Sequence, residues 1–293
     1  MKYHRLGKSD LNVSEISFGC MSLGEDQVAN EKLLHQAFEQ GINFFDTADL
    51  YQKGWNEESV GRALQPIRDK VIIATKVGNQ WRADASGWDW NPRKAYILKS
   101  IDESLRRLQT DYIDLYQLHG GTLEDPSEET IEAFEVLQKA GKIRYYGISS
   151  IRPNVIRRFI QKSNIVSVMM QYSLLDRRPE ESCLDLLHQA GISVISRGTL
   201  AKGMLINKPP QDYLGYSAAK VRKIQQSSQT LGNPVGNALS YVLQHPAVSS
   251  VVAGIRTPGQ LDGLLEGYRQ EVQSEDLEKL AKVLAPKRYE KHR

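Results

Sequence analysis

Residues 39–51 read EQGINFFDTADLY, and this stretch decides the fold. Its first part ends a helical run at Gly41, the residue type that most readily closes a helix in the left-handed conformation. Its middle, 43–47, is a short β-prone run. Its last part sets Asp46 and Tyr51 at or just past the end of that run, where apolar segments ordinarily give way to turn chemistry. The helix–Gly–strand junction recurs as KAGKIRYYG at 139–147 and QAGISVIS at 189–196. Recurrent junctions with short return loops suit an α/β chain.

Outward from there, β-rich runs alternate with amphipathic ones. Strands are assigned to 16–19, 43–47, 71–77, 112–119, 143–149, 168–172, 192–197 and 250–254. Helices are assigned to 30–40, 56–64, 92–108, 127–140, 153–161, 180–189 and 237–244. VIIATKV at 71–77, SVMMQY at 167–172 and ISVIS at 192–196 are nearly continuous apolar runs, as strands buried on both faces require. No G-x-G-x-x-G follows the first strand or occurs elsewhere. Eight strands with at least seven helices therefore predict a (β/α)8 TIM barrel rather than an open doubly wound sheet. Residues 3–16, with a turn at Gly7-Lys8-Ser9-Asp10, predict a hairpin closing the barrel's N-terminal end. The chain 1–293 reads as one domain. The least regular segments, 79–91, 120–125 and 202–217, follow strand ends, which puts them on a barrel's active-site face.

Composition narrows the function classes. A hydrophobic fraction of 40% and a charged fraction of 25% are ordinary soluble-globular usage. The net charge of +3 is spread along the chain without a block of like charge, so neither a nucleic-acid arm nor a membrane-surface helix is indicated. Cys20 and Cys183 fit no metal or disulfide spacing and are expected to be packed thiols. The opening MKYHRLGKSDLNVSE has no apolar core of a signal peptide, and no run approaches ~18 apolar residues. A cytoplasmic protein is expected, monomeric or weakly homo-oligomeric, with an exposed basic tail at 287–293.

The chemistry lies at strand ends: Asp46 and Tyr51, Lys76 in VIIATKV, and His119 closing YIDLYQLH at 112–119. Burying part of a lysine is costly unless something uses its charge. On a barrel these residues come from the second, third and fourth strands and meet at the C-terminal rim. A tyrosine hydroxyl has a reference pKa of about 10, too high for free proton exchange at pH 7, and a nearby cation lowers it. At an effective dielectric of ~20, a charge about 4 Å away is worth ~4 kcal/mol. Lys76 would supply that charge, Asp46 would keep Lys76 protonated, and His119 would hydrogen-bond the same substrate oxygen. Taken singly, each has a structural reading: an ion pair, a satisfied histidine, a loop aromatic, a cap. Taken together they read as a device for protonating a carbonyl oxygen.

These residues sit in a series of motifs that resembles the aldo-keto reductase superfamily. The motifs are G-x-N-F-F-D-T-A-D-L-Y at 41–51, A-T-K at 74–76, D-L-Y-Q-L-H at 114–119, G-K-I-R-Y-Y-G-I-S at 141–149, Q-Y-S-L-L at 171–175 and G-I-R-T-P-x-Q-L at 254–261. The likeness runs from about residue 6 to 265, in the manner of the NADPH-dependent, bacterial general-stress-protein-like branch. It implies a TIM barrel that binds NADPH across its C-terminal rim and reduces small aldehydes or ketones. It also implies a tetrad of Asp46, Tyr51, Lys76 and His119, with Tyr51 as general acid. Two other functions resemble this one closely: a polyol dehydrogenase with Tyr51 as base, and an NADPH-binding regulatory subunit.

The same resemblance implies cofactor contacts from Cys20, Met21 and Asp46, from Ser149 after the fifth strand and from Gln171 after the sixth. Arg197, Gly198, Thr199, Leu200, Lys202 and Gly203 follow the seventh strand, and Gly254, Arg256, Thr257 and Gln260 the eighth. Ser150 stands where the family usually has Asn, and Arg197 where an aromatic ring usually stacks on the nicotinamide. A planar guanidinium can stack on a ring in the same way, or pair with an acid at the rim. Gly254-Ile255 replaces a common Lys-Ser, and Gly263-Leu264 stands where an acid and Asn often hold adenine. Arg256 before a helix start suits a 2′-phosphate, which favours NADPH over NADH. Met21, Trp55, Trp81, Trp88, Trp90 and Tyr172 suggest an apolar mouth, or in the case of the Trp-rich loop simple packing. No Arg or Lys is assigned to the substrate pocket, so an anionic substrate is not suggested. No metal site is expected.

Overall fold

In the computed structural model, which describes residues 1–293, eight parallel strands close into a barrel. In chain order the strands are β1 (Tyr3–Arg5), β2 (Asn12–Ser14), β3 (Ile16–Gly19), β4 (Phe44–Asp46), β5 (Ile72–Val77), β6 (Asn79–Trp81), β7 (Trp88–Trp90), β8 (Ile113–Leu118), β9 (Ile143–Ser149), β10 (Ser167–Gln171), β11 (Ser193–Arg197) and β12 (Val248–Gly254). The helices are α1 (Gln27–Glu39), α2 (Trp55–Leu64), α3 (Lys94–Leu108), α4 (Ser127–Lys139), α5 (Pro153–Lys162), α6 (Cys183–Gln189), α7 (Ala218–Thr230), α8 (Pro234–Leu243), α9 (Pro258–Arg269) and α10 (Ser274–Val283). The barrel runs β3-β4-β5-β8-β9-β10-β11-β12 and back to β3. This is the predicted TIM barrel.

The N-terminal hairpin pairs Tyr3 with Ser14 and plugs the bottom. Its Leu6, Leu11 and Val13 form a buried cluster with Phe44, Ile72, Leu115, Met169 and Ile195 from the strands and with Val166 just before β10. Each such side chain stabilises the fold by about 1.5–3 kcal/mol when removed from water. Asn43 holds the plug in place, accepting from Ser14 N at 2.8 Å and donating to Asn12 O at 2.8 Å. Asp114, in the quoted motif at 114–119, is buried at the same end. Its carboxylate takes Arg68 at 2.7 Å, Arg144 at 2.8 Å and the N–H of Ile73 at 3.0 Å. The larger core lies between strands and helices. Gly41, with φ 92°, makes the left-handed exit from α1 that the opening stretch predicts.

Four expectations need correction. Residues 79–91 are not irregular: β6 and β7 form a hairpin with Asn79 opposite Trp90 and Trp81 opposite Trp88. Three helices fall outside the assigned ranges: α7 and α10 have no counterpart there, and of α9 only a start after Arg256 is expected. The 180–189 helix begins at Cys183, after a 3-10 turn over Arg178–Glu181 that Pro179 opens. The basic tail is not simply exposed, since Tyr289 is buried, His292 O accepts from Asn154 N at 2.9 Å, and Arg293 pairs with Glu181. Both cysteines are buried and free, as expected. No helix is long and apolar enough to cross a membrane.

Candidate active site

Strand register brings the four tetrad residues to one end of the barrel. Asp46 ends β4 beside Ala74 of β5, and Lys76 lies beside Gln117 of β8, two residues before His119. The Lys76 ammonium donates to Asp46 Oδ2 at 2.7 Å and to Thr47 O at 2.6 Å, and reaches the Tyr51 hydroxyl at 3.5 Å. Gln117 Nε2 donates to the other Asp46 oxygen at 3.4 Å. Tyr51 meets His119 edge to face, with ring centres 5.9 Å apart. All four residues predicted from the sequence are neighbours.

Burial would lower the Lys76 ammonium, but Asp46 and then Tyr51 more than reverse this and hold it above its ordinary value. Burial raises the Asp46 carboxyl, against the opposing charge of Lys76. Lys76 is therefore the proton carrier of the pair. Burial, reinforced by Lys76 and Arg197, pushes the His119 imidazole down to about 3, so the ring is neutral near pH 7. Its Nδ1 is buried with no partner. A buried N–H without an acceptor is costlier than a buried lone pair, so the proton belongs on Nε2, which leaves Nε2 a donor.

The turn after Tyr51 is strained. Gln52 (φ 50°) and Lys53 (φ 56°) are both left-handed, and Gly54 (φ 91°) follows. Left-handed backbone costs L residues about 1–2 kcal/mol each. The wholly buried Asn56 holds the turn, donating to Gln52 Oε1 at 3.0 Å and Cys20 O at 2.9 Å and accepting from Thr47 Oγ1 at 2.6 Å. Beneath lies an acidic pocket. Glu57, fully buried, accepts from Thr75 Oγ1 at 2.6 Å and Arg107 Nε at 2.7 Å. Asp49 is held well above its ordinary value by burial and then by Glu57.

The residues expected to hold a cofactor follow the rim along the neighbouring strands β9, β10, β11, β12 and β3. Gln171 donates to Tyr213 Oη at 2.8 Å and accepts from Arg197 Nη1 at 3.3 Å, so Arg197 pairs with an amide and not with an acid. Gly198, left-handed at φ 69°, passes close to the Gln171 side chain. Thr199 turns its hydroxyl inward to Ser196 Oγ at 2.8 Å, and Cys20 is fully buried, so neither presents a side chain at the rim. Ser150 is buried, with its Oγ accepting from Arg152 N at 3.2 Å, while Ser149 stays partly open. Met21, Lys202, Gly254 and Arg256 are exposed, Leu200 and Gly203 half-buried. Thr257 caps α9 through Gln260 N, and Gln260 Oε1 accepts from Arg256 N at 2.8 Å.

The expected apolar mouth is only partly formed. Trp90 lies against Gly78 and Gly120, where a side chain on Gly78 would come within 2.6 Å of its ring, and donates to Asp125 at 2.9 Å. It is packing. Tyr172 is buried and bonded to Glu180 at 3.1 Å, so it does not line the mouth. Trp81 and Trp55 are half-buried, and Met21 and Trp88 are exposed. Sequence reasoning missed Gln117, Asn56, Tyr213 and the Lys53–Trp81 contact. Of these only Gln117 carried a signal: it lies two residues before His119, hence on the same face of the strand.

The profile of the aldo/keto reductase family matches residues 15–285. The oxidoreductase YqkF of Bacillus subtilis (strain 168) is 50% identical over 273 residues, covering 89% of each chain. Among solved structures, the holo form of aldo-keto reductase AKR11C1 from Bacillus halodurans superposes with a TM-score of 0.96 at 48% identity, over 100% of this chain and 99% of that one. The glycerol dehydrogenase AKR11B4 from Gluconobacter oxydans has a TM-score of 0.85 at 25% identity, over 96% and 94%. With its closed barrel and its rim of Asp46, Tyr51, Lys76 and His119, this chain belongs to the aldo/keto reductase family, oxidoreductases that use nicotinamide cofactors.

Proposed function

We propose that the protein reduces aldehydes or ketones to alcohols with NADPH, Tyr51 acting as general acid. The observation that carries this reading is the chain of contacts from Asp46 through Lys76 to the Tyr51 hydroxyl, with a neutral imidazole facing the same ring. His119 Nε2 donates to the carbonyl oxygen and orients it. Tyr51 gives that oxygen its proton as negative charge develops there. Lys76 stabilises the phenolate left behind, and Asp46 with Gln117 keeps the ammonium in place.

The rim residues fit a nicotinamide dinucleotide. Ser149, Gln171 and Arg197 end three adjacent strands, and Gln171 offers an amide already bridged between Arg197 and Tyr213. At the other end, Arg256 stands exposed before α9, where a cation and a helix N-terminus together suit a phosphate. When bound, the cofactor supplies the hydride. The 2′-phosphate is the part of NADPH that Arg256 would contact, and its guanidinium is free because Gln260 occupies only its backbone N–H.

The same residues support oxidation of an alcohol, with Tyr51 as base, and one structural relative is named a glycerol dehydrogenase. The deciding experiment follows reduced-cofactor absorbance with NADPH or NADH and a panel of aldehydes and ketones, then oxidised cofactor with polyols. Turnover with NADPH and carbonyl compounds is expected. No turnover in either direction on any substrate would leave a cofactor-binding, non-catalytic protein.

A further inference from the structure

The turn after Tyr51 carries strain, and only part of it is answered within the fold. Gln52 earns its left-handed conformation by bonds to Leu23 O at 3.5 Å and from Asn56. Lys53, equally left-handed, is exposed, and its ammonium lies over the ring of Trp81, 5.4 Å from the centroid. Strained residues that their surroundings hold firmly tend to lie where a ligand is handled.

The turn fixes a cation at the rim two residues from Tyr51, against an aromatic ring that β6 projects beyond the end of β5. The indole N–H of Trp81 is buried and has no acceptor. The Lys53 ammonium rests over the face of that ring, and no carboxylate of the chain pairs with it. Across the rim, Arg197 adds a second cation whose hydrogen-bond partner is the Gln171 amide oxygen. A neutral aldehyde offers these groups little. A carboxylate would accept from the ammonium in a charge-assisted bond while the Trp81 ring shields it from water.

We propose that Lys53, set against Trp81, is a specificity residue that favours carbonyl substrates bearing a carboxylate at the end remote from the reacting carbon. This rests on the reductase reading above and names its substrate class. Lys53 takes no part in proton or hydride transfer.

The test compares para-carboxybenzaldehyde with its methyl ester, as a ratio of kcat/KM, for wild type, Lys53→Asn and Lys53→Arg. Asn tolerates left-handed backbone, so the turn survives the first change, and Arg keeps the charge. The wild type should prefer the acid. The ratio should fall about fivefold or more in Lys53→Asn, through KM for the acid, because one partly exposed charged contact is worth about 1 kcal/mol. Lys53→Arg should restore most of it, and added salt should erode the preference in wild type but not in Lys53→Asn. An equal ratio in wild type and Lys53→Asn, with both compounds turned over, would overturn this assignment and leave the reductase reading intact. Failure of wild type to turn over either compound would overturn this assignment too, while the reductase reading falls only if the wider panel of aldehydes and ketones is also left untouched.

Discussion

The ammonium of Lys76 lies 3.5 Å from the phenol oxygen of Tyr51 and 5.1 Å from the centre of its ring. A phenolate formed there meets a fixed positive charge instead of water, whose reorganisation would add to the barrier. Asp46, at 2.7 Å, keeps that charge in place without reaching the phenol itself. In the proposed reduction this arrangement would divide labour: one residue moving the proton, one stabilising what remains, one anchoring the stabiliser.

Removing the hydroxyl isolates the first task. Tyr51→Phe should lower kcat by about 10²–10⁴, the usual contribution of a positioned general acid. Fluorescence titration should show cofactor binding retained, since the ring remains. An unaltered kcat would place the acid elsewhere.

The neutral state of His119 predicts a pH effect of definite sign. Its imidazole is pushed down to about 3, against 6.5 in its ordinary state. Between those values the unfolded chain binds the extra proton and the folded one does not. The stability is therefore fully present above about pH 6.5 and is lost as pH falls toward 3. Urea midpoints of His119→Gln should fall less steeply than those of wild type over that interval. The carboxylates titrate in both proteins, so the difference reports the imidazole. Parallel curves would mean that the ring accepts a proton in the folded state.

The tetrad was legible because each member breaks an apolar run at its end, as Lys76 does in VIIATKV. The eight strands were legible for the related reason that they are buried on both faces. Helix α7 was not, since its buried face is Val221, Ile224, Gln225 and Ser228, half of it polar. Such a stripe has no clear period. Helix α10 buries only Leu277 and Leu280 and follows the last strand, where alternation predicts nothing. Tyr213 lay beyond reach for another reason: its bond to Gln171 joins positions 42 apart and exists only once the chain has folded. Lys53 reads as a surface lysine until the backbone shows it left-handed.

Arg256 should separate the two nicotinamide cofactors. Arg256→Ala should weaken NADPH binding about tenfold or more, the scale of a lost charge-assisted contact, while NADH binding stays nearly the same. The NADPH effect should shrink at high salt. Equal weakening of both cofactors would show that the guanidinium does not contact the 2′-phosphate.

The acidic pocket beneath the tyrosine turn predicts a stability change that also reaches the chemistry. Glu57 is fully buried, Arg107 is its cationic partner, and Asp49 shares their electrostatic field. Arg107→Met strands a buried carboxylate and should cost about 3–5 kcal/mol in thermal or urea unfolding. The double variant Glu57→Gln/Arg107→Met should recover most of that, because a neutral amide can still accept from Thr75 and removing the Glu57 charge also relieves Asp49. The Arg107 side chain also packs against Gly54, where a side chain would come within 2.8 Å of its Cδ. Its loss loosens the turn that follows Tyr51. At a temperature where both variants are folded, the double variant should therefore keep a reduced kcat although its stability has returned. Full recovery of kcat along with stability would show that the pocket supports the fold alone and leaves the tyrosine's position to Asn56 and Thr47.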